Sequence, residues 1–155
     1  MKIMLPGYVQ TFMSILAFAI PQGFGQGVES SNSNRATTQM RIKIGSSTFI
    51  ATLDENPTAT AFKTMLPLTV DMQELNGNEK LYRLPDKLPT KASNPRTIKN
   101  GDLMIYGANT VVLFYKSFPT SYSYTRLGRI NDPAGLAAAV GSGSVVVTFE
   151  LVSKP

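Results

Sequence analysis

GDLMIYGANTVVLFYKSFPTSYSYTRLGRI, residues 101–130, is the stretch on which the fold turns. Two runs of apolar, β-branched and aromatic residues, 102–106 and 110–115, suit a pleated and half-buried surface. Between them sits Gly107-Ala108-Asn109, a short connection in which Gly and Asn both tolerate positive φ, so the two runs read as a β-hairpin. Val111, Val112, Leu113 and Phe114 are continuously apolar. That predicts a strand covered on both faces, as in the wall of a closed barrel or a sandwich. The run is too short, and too closely bounded by turn residues, to be a helix. A tyrosine-rich loop follows, then a strand over 127–130 with Arg126 and Arg129 alternating against the apolar positions.

On the N-terminal side, residues 40–44 and 48–53 alternate polar with apolar around Gly45-Ser46-Ser47, which predicts a second hairpin. Asn56 is a candidate helix cap and Pro57 suits the first turn. Ala59, Phe62, Met65 and Leu66 make one apolar helical face, and Pro67 is the expected stop. Residues 68–75 form a further strand with Val70 and Met72 on one face. Asn76-Gly77-Asn78 turns the chain into a return strand over 80–84. Pro85, Pro89 and Pro95 then punctuate a long loop, read as a rigid surface cover.

On the C-terminal side, Asp132 is a candidate cap for a short helix beginning at Pro133 and stopped by Gly141. Residues 144–152 close the domain as a strand with Val145, Val147, Phe149 and Leu151 on one face. The count is about eight strands and two short helices. It predicts a mainly β fold, a closed eight-stranded antiparallel β-barrel.

The 15 basic and 10 acidic residues leave a net charge of +5, but they are scattered and read as a solvated surface, with no nucleic-acid partner. Histidine and cysteine are absent. That excludes disulfides, Cys or His metal sites, thiol nucleophiles and a Ser-His-Asp triad. The aspartates lack the loop spacing of a hard-cation site, so no metal, cofactor or catalytic residue is expected. Residues 12–20 are an apolar run too short for a stable membrane span, preceded by Lys2 and broken by Pro21. The expected organisation is a signal peptide over 1–25, a flexible linker over 26–39 and the barrel over 40–152. Export to the periplasm or the exterior follows; a cytoplasmic protein starting at Met40 is the alternative.

The order GDLMIYGANTVVLFYKSF, a loop, then LGRINDPAGLAAAVGSGSVVVTFEL resembles the bacterial cyclophilin-like proteins. RIKIGSSTFIATLDENPTATAFKTMLPL and LNGNEKLYRLPDKLPTKASNPRTIKNGD also look like theirs. The resemblance implies an eight-stranded barrel with a helix at each end. True cyclophilins carry a Phe-His-Arg motif, a Gln-Gly-Gly-Asp-type segment, and a Trp and a His in the groove. This chain has no Trp and no His, so the isomerase's functional residues transfer to no position here. Fold alone does not confer activity.

Tyr106, Tyr122 and Tyr124 cluster in sequence around the central hairpin, and Tyr82 is expected to join them across the barrel. Arg126 is the candidate fork for a carboxylate or carbonyl. These five residues predict a non-catalytic face for a peptide, a protein or a small molecule. Two alternatives remain. One is a weak prolyl isomerase with Arg126 or Arg83 as donor. The other is a set of tyrosines that merely cover the barrel rim.

Overall fold

The computed structural model describes residues 37–153. In chain order the elements are β1 (Gln39–Ile44), β2 (Ser47–Leu53), α1 (Pro57–Lys63), β3 (Leu68–Leu75), β4 (Glu79–Arg83), β5 (Thr97–Ile98), β6 (Asp102–Tyr106), β7 (Thr110–Phe114), β8 (Phe118–Pro119), β9 (Thr125–Ile130), α2 (Leu136–Val140) and β10 (Val145–Leu151). Eight strands close on themselves in the order β1–β10–β3–β4–β7–β6–β9–β2, and β5 and β8 form a separate two-stranded sheet. Neighbouring barrel strands pair antiparallel, so closure leaves no barrel strand as a free edge. The predicted leader and nearly all of the linker lie outside the described residues.

Alternation sorts the side chains. Met40, Ile42 and Ile44 of β1, Val70 and Met72 of β3, and Val147 and Phe149 of β10 enter the main core. Phe62 of α1 meets Phe149 edge-on with ring centroids 5.8 Å apart, and Leu136 and Val140 of α2 join the same core. Strand β7 is covered on both faces, as its apolar run predicts. Val111 and Leu113 belong to the main core. Val112 and Phe114 belong to a second cluster with Ile98, Met104 and Tyr124, against which Leu81 and Phe118 pack. The two-stranded sheet lies over that second cluster through Ile98 of β5 and Phe118 of β8.

Four features depart from the sequence reading. First, β5 and β8 are strands, which makes the proline-rich loop a pinned cover. Second, α1 ends at Lys63 rather than running on to Pro67. Thr64 closes it by donating its amide and hydroxyl to the Ala61 carbonyl, at 3.2 and 2.7 Å. The Leu66–Pro67 peptide is cis. Third, Asp132 does not cap α2. Its carboxylate instead accepts from the Ala134 amide at 3.0 Å, and the helix starts after Gly135, whose φ of 81° ordinary residues rarely adopt. Fourth, Leu151 is not buried with the rest of its face; it is 39% exposed. No helix among the described residues is long and apolar enough to cross a membrane.

Candidate ligand-binding site

The outer wall of β4, β7 and β6 forms the floor of a cleft of about 540 Å³. Its floor and walls include Glu79 and Leu81 from β4, Val112 from β7, Tyr106 from β6, and Phe118, Tyr122 and Tyr124 from the segment after β7. Beyond the two residues of β8 that segment has little regular structure to stiffen it, so it is fastened from outside. Ser93 and Tyr124 exchange backbone hydrogen bonds of 2.9 and 3.0 Å. The Thr120 amide donates to the Arg96 carbonyl at 2.8 Å, and the Asn94 side chain donates to the Ser121 carbonyl at 3.0 Å. A loop held this way pays less ordering entropy on binding.

Three tyrosines meet at the cleft. Tyr124 is buried, with its ring edge-on to Phe114 at 5.5 Å. Tyr106 lies 5.7 Å from Tyr124 and 6.2 Å from Tyr122, with interplanar angles of 53° and 89°. The outer two are open to solvent, Tyr106 at 47% and Tyr122 at 62%. Leu75 on the rim is also exposed. Large exposed apolar groups gathered in one concavity mark a binding surface better than scattered ones do.

Beneath the tyrosines sits a carboxylate that the sequence reading missed. Glu79 is 92% buried and has no hydrogen-bond or ion-pair partner among the described residues. Burial pushes its carboxyl up, and the charge of Glu74 adds to the effect. Burial, with the Glu79 charge next in weight, likewise raises the Tyr124 phenol. Beside Glu79, the side-chain oxygen of Asn78 is buried without a partner. Among the described residues Glu79 is the single charged side chain lining the cleft.

Its neighbour in the wall is satisfied. Strand alternation turns Lys80 to the opposite face, where it is fully buried. Its ammonium donates to the Glu74 carboxylate and to the carbonyls of Gly141 and Gly143, the first of these at 2.8 Å. The Tyr115 hydroxyl donates to both Glu74 oxygens at 2.8 and 2.9 Å. Burial alone would raise Glu74. The hydrogen bonds from Lys80 and Tyr115, the Lys80 charge and the Gly77 amide outweigh it and hold the carboxyl below its usual value.

Of the five residues named from sequence, the fold brings Tyr106, Tyr122 and Tyr124 together and separates the other two. Tyr82 falls on the inward parity of β4 and packs against the main core, so it does not join the cluster. Arg126 pairs with Asp54 at 3.0 Å and lies outside the cleft. The signal for Glu79 is positional: it stands two residues before Leu81, opposite Phe114 in the β4–β7 register. Placing the start of the strand at Lys80 hid it in the turn.

A second concavity of about 660 Å³ runs along α1. Two of its polar groups are already engaged: Asp54 holds Arg126, and Asn56 caps the helix by accepting from the Ala59 amide at 2.8 Å. Among the described residues no three acidic side chains converge as a metal site would need.

A solved structure, the solution structure of the hypothetical protein AF2241 from Archaeoglobus fulgidus, matches with a TM-score of 0.51 at 20% identity. The match covers 75% of this chain and 95% of that one, and it speaks for the fold. No curated protein matches the sequence. A model of the Cyclophilin-like family matches residues 42–150, from the middle of β1 almost to the end of β10, with both helices inside it. The chain belongs to the Cyclophilin-like family.

Proposed function

We propose that this domain is a non-catalytic binding module whose outer-wall cleft takes a small organic ligand. The observation that carries the reading is the gathering of Tyr106, Tyr122 and Tyr124 around one pinned concavity of about 540 Å³, a volume ordinary for small-molecule sites. Recognition falls to side chains, because the closed barrel has no free strand edge for a peptide to extend. Tyrosine suits that role, with a wide rigid ring and a hydroxyl handle. The isomerase alternative loses its donors, since neither Arg126 nor Arg83 lines the cleft.

The test is a chemical-shift titration of the full chain with small aromatic and aliphatic fragments, with tripeptides as a second arm. Fragments are expected to shift Tyr106, Tyr122, Tyr124 and Phe118. Replacing Tyr106 and Tyr122 together by alanine is expected to weaken binding by about tenfold or more, the loss of two aromatic contacts. Shifts confined to the α1 concavity would defeat the reading.

A further inference from the structure

The cleft in a net basic chain is lined by one charge, and that charge is negative. Glu79 is 92% buried and has no partner among the described residues. A buried carboxylate is normally paired or hydrogen-bonded, because its desolvation is otherwise uncompensated. The protein's own cations do not meet the need. Lys80 is engaged by Glu74 and two glycine carbonyls on the other face of the strand, and Arg126 is held by Asp54. The Glu79 carboxylate therefore faces the cleft as an acceptor that asks for donors.

Above this floor the aromatic rings stand at steep angles to one another, Tyr122 and Tyr106 at 89°. A cation is attracted to ring faces as well as to a carboxylate, and an ammonium or guanidinium also brings N–H donors. We propose that the cleft is a site for a small organic cation, a primary ammonium or guanidinium on an apolar body, whose charged head meets Glu79 and whose body lies among Tyr106, Tyr122 and Tyr124. This rests on the cleft being the binding site and names its ligand class. Glu79 would accept from the N–H donors, and the rings would exclude water from the pair.

The test uses one scaffold at three charges: 4-phenylbutylammonium, 4-phenylbutanol and 4-phenylbutanoate, titrated into the full chain and into Glu79→Gln. The wild type is expected to bind the ammonium about tenfold or more tightly than the alcohol, the worth of a charge-assisted hydrogen bond, and the carboxylate most weakly. In Glu79→Gln, an uncharged side chain of the same shape, that preference should shrink to about twofold. The wild-type series decides the matter by itself if the variant fails to fold. Equal binding of ammonium and alcohol, with shifts at the three tyrosines, would overturn the cation assignment and leave the cleft as the binding site. Absence of shifts at the tyrosines with every probe would overturn both.

Discussion

Two adjacent residues of β4 meet opposite fates. Lys80 is fully buried and fully satisfied; Glu79 is nearly as buried and unsatisfied. The first is an architectural group. Its ammonium joins the β3–β4 turn region to the chain just after α2, through Glu74 and the carbonyls of Gly141 and Gly143. Lys80→Met keeps the volume but leaves the two carbonyls without that donor and Glu74 with only the Tyr115 hydroxyl and the Gly77 amide. The expected cost is about 3 kcal/mol, toward the lower end for a broken buried pair because Glu74 is partly open to water. Urea denaturation measures it, and a loss below about 1 kcal/mol would mean that water replaces the ammonium without cost. Glu79 has no partner to lose among the described residues, which is why the proposed ligand contact falls to it.

At the scale of elements, the seam between β2 and β9 closes tightly at Gly128. Gly128 of β9 pairs with Leu53, and a Cβ there would sit 2.3 Å from the Thr52 carbonyl oxygen and 3.0 Å from the Leu53 Cα. Backbone cannot yield as a side-chain tip can, so Gly128→Ala is expected to destabilise by about 3 kcal/mol, the upper range for overpacking. A shift of the urea midpoint reports it. The same elements show what the sequence discloses. The hairpin of β6 and β7 was legible because its apolar runs and its Gly-Asn turn agree on one structure. The start of α1 was legible because Asn56 and Pro57 each have one mechanical use there. Strands β5 and β8 were not, since two residues carry no periodicity and Ile98 becomes a strand residue only by meeting Phe118. The tyrosines of the site could be named from their clustering. Tyr82 and Glu79 could not be sorted, because alternation puts them on opposite faces of β4 without saying which face is inward.

For the whole molecule, the Glu74–Lys80–Tyr115 network ties stability to pH at both extremes. Burial, then the hydrogen bond to Glu74 and the charges of Glu74 and Glu79, push the Tyr115 phenol from 10.0 to about 12. Above 10.0 the unfolded chain releases this proton before the folded one does, so stability falls as pH rises through about 12. Glu74 has the opposite sign. Its carboxyl is lowered in the fold, so its contribution is present above the unfolded value and is lost as pH falls through the folded one. Denaturant midpoints followed upward from pH 9 should decline more steeply in the wild type than in Tyr115→Phe. Parallel curves would show that the phenol titrates alike in both states.

The two-sided wall of β7 also separates two kinds of selection along one strand. Positions 111 and 113 answer to the core, while positions 112 and 114 answer to the cluster under the cover. Changes at 112 and 114 therefore act on the packing of the cover, while changes at 111 and 113 act on the barrel itself. One strand carries two separate packing problems, and each can be altered at every second residue while the other is left in place.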